Sequence, residues 1–204
     1  MHASESIIPI IMGIGLAAAC GFRVFVPLLV VSLAANTGHL SVGPGWAWLG
    51  QWPAALCLSI ATVLEIGAYY IPWLDNLLDA VSTPAAMVAG TVVAASFITD
   101  MHPMVKWALA AILGGGAAGT VQVATVSLRT VSTASTGGLA NPLVATGEWL
   151  GAMTLSLLAI ALPGLALAGI LGVAVLLVRK LIKRRRAGTL TPRRQPPSEG
   201  SATA

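Results

Sequence analysis

The chain has 204 residues, of which 56% are hydrophobic and only 9% are Asp, Glu, Lys or Arg. A water-soluble domain carries about 25% charged residues and a disordered chain is poor in apolar ones, so both classes are excluded. Eight of the eleven basic residues follow Val178, and the residues up to Val178 have a formal charge of −3, which excludes a nucleic-acid-binding domain on charge. The remaining class is an integral membrane protein whose helices face lipid.

Apolar runs of the length that crosses a bilayer, about 20 residues, predict about five transmembrane spans. They cover residues 7–35, 53–72, 84–98, 105–128 and 149–178. We therefore expect an all-α fold, a polytopic bundle of transmembrane helices. Pro163 and Gly164 interrupt the last run, so it is either one kinked helix or two half-length pieces, and six spans are the alternative.

A stretch rich in Gly, Pro and Trp separates the first two runs, at residues 36–52. Trp46, Trp48 and Trp52 favour a short loop in the headgroup region, where Trp side chains concentrate. Pro53 is placed to begin the next helix, because the first helical position needs no backbone N–H.

Two ionisable side chains lie deep inside the first two apolar runs. Arg23 is near the middle of the first run and Glu65 is well within the second. A charge at the bilayer centre costs about 2.5–3.5 kcal/mol or more, so each needs a partner or a function. We predict that the two form a buried ion pair, which either serves a functional site or only locks the two helices together.

Asp75 and Asp79 form a candidate carboxylate pair just after the second run. They are four residues apart and share one face of a helix, with Asn76 beside them. Three oxygen side chains can hold a hard cation, which is the alternative, but they fall short of the 6–8 oxygen ligands of calcium, so no metal site is assigned. The favoured interpretation is a helix start after Pro72, with Asp75 as N-cap.

A stretch rich in hydroxyl groups lies between the last two runs and predicts a broken or re-entrant segment around residues 130–147. Thr136, Gly137 and Gly138 are expected to end one helix, and Asn141 is expected to cap the next. Arg129 and Glu148 bracket this segment and complete a candidate intramembrane polar site with the two charges of the first half. Broken helices hold ions in transporters, whereas an ordinary exposed loop is the alternative.

The basic end of the chain predicts the domain organisation and the orientation. Residues 1–178 form the transmembrane domain, and residues 179–204 form a basic, disordered tail. Since basic residues flank spans on the cytoplasmic side, the C-terminus is expected in the cytoplasm, where the tail can also meet anionic lipid headgroups. Glycines such as those at 114–116 permit close helix packing within the chain or, alternatively, in a homo-oligomer.

No enzyme motif of the HExxH, GxSxG, Walker or CxxC type occurs, and the three histidines lie at the edges of the apolar runs. Cys20 and Cys57 lie inside apolar runs and are expected to be buried hydrophobic side chains. The sequence therefore indicates neither a metal nor a cofactor, and it favours a function other than catalysis.

Three segments together resemble a bacterial integral-membrane family known as domain of unknown function 4126. They are Cys20-Gly-Phe-Arg23, Ile71-Pro-Trp-Leu-Asp-Asn-Leu-Leu-Asp79 and Thr136-Gly-Gly-Leu-Ala-Asn-Pro142. The resemblance covers nearly all of the chain before the basic tail. It implies a multi-pass protein of the bacterial cytoplasmic membrane, but no activity, substrate or catalytic residue.

Three functional classes remain, in this order. The first is a transporter or channel for a small ion or anionic solute, which uses the buried Arg and Glu residues. The second is a non-catalytic membrane protein that assembles with or binds a partner. The third is an intramembrane enzyme acting on a lipid.

Overall fold

The computed structural model describes residues 3–99 and 101–188. It is 85% helical, and the described residues contain no strand, which confirms the all-α fold. The α-helices are α1 (Ala3–Cys20), α2 (Phe25–Asn36), α3 (Trp52–Ala68), α4 (Pro72–Phe97), α5 (Pro103–Leu109), α6 (Gly116–Thr136), α7 (Asn141–Ala161) and α8 (Pro163–Gly188). A 3₁₀ helix spans Pro44–Gly50, and a π-helical segment, Ala110–Gly115, joins α5 to α6.

Proline marks the starts of most of these helices. A Pro occupies one of the first two positions of α3, α4, α5 and α7, as expected for a residue that lacks the N–H which a helix start leaves unused. Pro84 is different. It was expected to begin a span, but it lies inside α4, which begins at Pro72. Helices in lipid tolerate an internal proline because neighbouring groups satisfy the freed carbonyls.

Among the residues that the structure describes, three helices are long and apolar enough to cross a membrane: Ala80–Phe97, Pro103–Thr136 and Asn141–Ala161. A fourth is obtained if the 3₁₀ helix and α3, which are bent by 65° at their junction, form one span. Shorter apolar helices lie at Ile7–Cys20, Phe25–Asn36 and Pro163–Val175. The expectation of about five spans is roughly consistent with this set.

The first apolar run does not form a single helix. It divides into α1 and α2, which are separated by residues 21–24. The backbone N–H groups of Val24 and Phe25, at the start of α2, are bonded by a side chain from α3, as described below, so these two donors are satisfied at the break. The hydropathy of the run does not reveal this break or the side chain from α3 that bonds to it.

The predicted break in the second half is much shorter than expected. Residues 130–136 are helical, and the interruption is confined to the turn at 137–140. Gly137 has φ +64° and Gly138 has φ +90°, a left-handed conformation that favours glycine and ends α6. Helix α7 begins at Asn141, with Ala140 rather than Asn141 as its N-cap residue.

Small residues bring the helices of the core close together. Ala17, Ala18 and Ala19 of α1 are fully buried, and α1 packs against α4, α6 and α7. A Cβ on Gly90 would lie 2.6 Å from the Cβ of Ala118 and 2.8 Å from the carbonyl oxygen of Gly114. The glycines around residue 114 are therefore used for packing within the chain, which was the first of the two roles expected for them.

Contacts divide the chain into two compact units, Met1–Ile170 and Leu171–Ala204. The boundary lies inside α8, which continues as a helix over residues 179–188 of the predicted tail. Residues 189–204 lie outside the described residues.

Candidate functional site

Glu65 binds the start of α2. Its Oε1 accepts the N–H of Val24 at 2.8 Å, and its Oε2 accepts the N–H of Phe25 at 3.1 Å. The first N–H groups of a helix have no acceptor within the helix, and a carboxylate is favoured there by the helix dipole. Glu65 therefore caps α2 from a neighbouring helix.

Arg23 lies in the break between α1 and α2, is 2% exposed, and pairs with Glu148 of α7. Its Nη2 is 3.0 Å from Oε2 of Glu148 and also donates to the carbonyl oxygen of Ala145 at 3.2 Å. The predicted ion pair between Arg23 and Glu65 is wrong. Glu65 is engaged by backbone donors, and the counter-charge of Arg23 comes from the second half of the chain.

Arg129 and Glu148 form a buried bidentate pair across the α6–α7 hairpin. Nε of Arg129 donates to Oε1 of Glu148 at 2.9 Å, and Nη2 of Arg129 contacts Oε2. The hairpin explains the pairing, because Arg129 lies seven residues before the end of α6 and Glu148 lies seven residues after the start of α7. The two guanidinium groups of the site therefore converge on a single carboxylate oxygen, Oε2 of Glu148.

Tyr69 completes this cluster, and the sequence analysis missed it. The ring is 6% exposed. The guanidinium carbon of Arg23 lies 3.6 Å from the ring centroid, and that of Arg129 lies 4.1 Å from it. Both distances are within the range of cation–π attraction. Its position four residues after Glu65, on the same helical face, was the available signal.

The buried cluster of Arg23, Tyr69, Arg129 and Glu148 holds two positive charges and one negative charge. In the part of the chain that the structure describes, four buried side-chain atoms have no hydrogen-bond partner. They are Nε and Nη1 of Arg23, Oγ1 of Thr62 and Oγ of Ser132. Thr62 precedes Glu65 by three residues and Ser132 follows Arg129 by three, so each unpartnered atom lies on a charged residue of the site or about one turn from one.

Helix α6 also presents a buried polar face that the sequence analysis did not identify. Gln122, Thr125, Arg129 and Ser132 are all buried. Nε2 of Gln122 donates to Oγ of Ser82 in α4 at 2.7 Å. These four residues are spaced three, four and three apart, which places them on one face if residues 122–132 are helical. This spacing was the available signal in the sequence.

The other candidate residues belong to the first part of α4 and to the turn between α6 and α7. Asp75 and Asp79 belong to α4, whose N-cap is Ile71, so the expectation that Asp75 caps the helix is wrong. The placement of their side chains is outside the described structure. Within the residues searched, no group of three or more His, Cys, Asp or Glu side chains is arranged to hold a metal ion.

The residues of the predicted break form an ordinary helix-to-helix turn. Thr136 ends α6, Gly137 and Gly138 form the turn, and Nδ2 of Asn141 donates to Oγ1 of Thr133 at 3.1 Å. This bond ties the end of one helix to the start of the next. It fixes the hairpin that brings Arg129 and Glu148 together.

Comparisons with known proteins identify a family but no function. Residues 10–183 match the family described as Domain of unknown function (DUF4126). No curated protein and no solved structure matches the chain. Because the match covers most of the chain, the protein belongs to the DUF4126 family of unknown function.

Proposed function

We propose that this membrane protein binds a small anion at the buried cluster and moves it across the bilayer. The observation that carries the proposal is the convergence of two guanidinium groups, from Arg23 and Arg129, on one carboxylate oxygen of Glu148. A carboxylate held in this way occupies the position that an anion takes between two arginines.

The donors of the cluster support an anion rather than a cation. Arg23, Arg129 and Glu148 together carry one excess positive charge, which is balanced by the carboxylate of Glu65, because this carboxylate interacts electrostatically with both arginines. The oxygens of Glu65 accept the first N–H groups of α2. The buried N–H groups of Arg23 that have no partner are donors, which an anion can accept and a cation cannot.

Arg23 is the member of the cluster best suited to bind the solute. Arg129 holds Glu148 in a bidentate pair, whereas Arg23 contacts it through Nη2 alone. Nε and Nη1 of Arg23 are buried without partners and carry three N–H groups. These donors can receive an anion without breaking the pair between Arg129 and Glu148.

The proposed location is the bacterial cytoplasmic membrane, with the C-terminus in the cytoplasm. The support is the basic cluster that directly follows the apolar part of α8, since such residues flank spans on the cytoplasmic side.

The test is anion flux in liposomes that contain the purified full chain, with chloride and nitrate as solutes. We expect flux by the unmodified protein and none by the Arg23→Gln variant, provided that the variant elutes as a folded protein. Lys106→Gln is the control, because it removes a positive charge outside the cluster and should leave the flux unchanged. No flux by the unmodified protein, or equal flux by Arg23→Gln, would contradict the proposal.

A second candidate function is a non-catalytic assembly or partner-binding protein. The bidentate pair of Arg129 and Glu148 favours it, because such a pair ties α6 to α7 whether or not a solute binds. The flux experiment separates the two functions. A purely structural cluster gives no anion flux through the folded, unmodified protein, whereas an anion transporter gives flux that Arg23→Gln removes.

An intramembrane enzyme has less support. Acid–base chemistry on a lipid would need carboxylates free to exchange protons with the substrate. The carboxylate of Glu65 is occupied by two backbone N–H groups, and that of Glu148 by two guanidinium groups.

A further inference from the structure

The buried polar face of α6 reaches the protein surface at one end. Gln122, Thr125, Arg129 and Ser132 are buried, with exposed fractions of 4–9%. The same spacing continues to Thr136, four residues after Ser132, which is exposed at the end of the helix. The face is therefore polar from Gln122 to Thr136 and opens at the α6–α7 turn.

The outward side of α6 carries both apolar side chains and hydroxyl groups. Val123, Leu128 and Val131 are 57%, 56% and 65% exposed. Ser127 and Thr130 are exposed as well, and their hydroxyls donate to carbonyl oxygens of the helix itself, which is how a hydroxyl side chain is satisfied on a helix that faces lipid. Alternate positions on this one helix therefore provide matched pairs of inward and outward residues.

Hydrogen bonding along the inward face is complete at the inner end and incomplete toward the turn. Gln122 bonds to Ser82, and Oγ1 of Thr125 donates to the carbonyl oxygen of Gln122 at 2.9 Å. The Oγ of Ser132, between Arg129 and the turn, is buried without a partner. Buried polar atoms ordinarily have partners, and an unmet one calls for an explanation such as a water or a ligand.

We propose that water and a small inorganic anion reach the charge cluster along this face, entering at Thr136 and passing Ser132. The inference rests on the proposed function, because it assigns the route to that same site. From Thr136 to Arg129 the route covers seven residues, about 10 Å along the helix axis. The hydroxyl of Thr136 donates to the carbonyl oxygen of Ser132 and accepts the N–H of Ala140, so it marks the entrance and is not a free donor. The donors beyond it are the unpartnered hydroxyl of Ser132 and then the guanidinium groups, which favour anions over cations.

The experiment measures the labelling of single cysteines in the full chain, in liposomes, with Cys20 and Cys57 replaced by Ala. Ser132→Cys lies on the proposed route, and Val131→Cys is its outward neighbour. The reagent is a water-soluble methanethiosulfonate carrying a sulfonate group. We expect Ser132→Cys to react at least about tenfold faster, although Val131 is far more exposed in the structure, because a charged reagent enters hydrocarbon only at high cost.

Two further comparisons sharpen the result. A methanethiosulfonate carrying a quaternary ammonium group should label Ser132→Cys more slowly than the sulfonate reagent, since Arg23 and Arg129 repel it. Added nitrate should slow the sulfonate reaction. Labelling of Ser132→Cys no faster than Val131→Cys in folded protein overturns the proposed route.

A second pair of variants tests the route even if Ser132→Cys does not fold. Thr136→Cys and Ser135→Cys are both exposed, but only the first lies on the polar face. Modification of Thr136→Cys should abolish anion flux, and modification of Ser135→Cys should leave it unchanged. Equal effects at both positions overturn the route.

Failure of the route and failure of the proposed function give different results. Rapid labelling of Ser132→Cys without flux of any tested anion refutes transport and keeps the hydrated route. Flux through a protein whose Ser132→Cys variant is folded and unlabelled refutes the route and keeps transport.

Discussion

The two halves of the chain carry the same kinds of charged residues, and the structure uses them differently. In the second half, Arg129 and Glu148 form a bidentate pair across a helical hairpin. In the first half, Glu65 caps α2 through its backbone N–H groups, and Arg23 turns to Glu148 instead. The difference shows that the free N–H groups of a helix start compete with an arginine for a buried carboxylate.

This comparison has a consequence for function. In the second half, Nε and Nη2 of Arg129 are both directed at the carboxylate of Glu148, which belongs to the same half. The first half leaves donors of Arg23 without partners. A ligand is therefore expected at the first-half arginine, while the second-half pair holds the framework.

The largest expected effect is at Glu148, the residue on which both halves depend. Glu148→Gln removes the carboxylate that both buried arginines contact, so we expect the free energy of unfolding to fall by about 3–5 kcal/mol. The measurement is denaturant unfolding in detergent. Leu150→Ala, at a half-exposed position of the same helix, is the control and should cost much less. Similar losses in both variants would show that Glu148 is not the shared counter-charge.

The next test compares the two arginines. Arg129→Gln breaks the bidentate pair and should cost about 3 kcal/mol. Arg23→Gln should cost only about 1 kcal/mol, because the loss of one contact to Glu148 is offset by removal of unsatisfied donors. Denaturant unfolding of both variants under the same condition shows which of them loses more free energy of unfolding. The opposite order would make Arg23 the structural member of the cluster.

Two glycines test how tightly each half is packed around its charges. Gly21, in the break beside Arg23, faces α6 so closely that an added Cβ would lie 2.6 Å from the Cβ of Val121. Gly21→Ala should therefore cost about 1–3 kcal/mol through overpacking. At Gly147, beside Glu148, an added Cβ would meet nothing within 4 Å. Gly147→Ala should be neutral or stabilising by up to about 1 kcal/mol, since alanine favours a helix.

The smallest expected effect on stability is at Glu65. Glu65→Gln retains one acceptor oxygen for the start of α2, so the expected cost is about 1 kcal/mol, which is typical of a weakened cap. The measurement is thermal unfolding of the variant and of the unmodified chain under the same conditions. The exchange Arg23→Glu with Glu65→Arg should be no more stable than the worse single variant. If the exchange variant instead recovers the stability of the unmodified chain, Arg23 and Glu65 do form a direct ion pair.

Part of the candidate site was predictable from the sequence, because the cost of charge in lipid identifies unusual residues without a structure. This cost identifies Arg23 and Glu65, and Arg129 and Glu148 are identified because they bracket the hydroxyl-rich segment. All four lie in or beside the cluster. The carboxylate pair of Asp75 and Asp79 was selected from spacing alone, and the structure places it in the first part of α4, away from the helix cap. Tyr69 and Ser132 were missed, because an aromatic or hydroxyl side chain costs little in an apolar run.

The sequence by itself determined that the protein is helical and lies in a membrane, since composition and run length depend only on the transfer of side chains into lipid. It also determined several helix starts, because proline and glycine act on their own backbone. Tertiary structure alone decided which charges meet. Arg23 and Glu148 are 125 residues apart, and their contact depends on the break after α1 and on the hairpin of α6 and α7. Pairing between residues that are distant in the chain depends on how the helices pack, and the local sequence around each residue does not determine that packing.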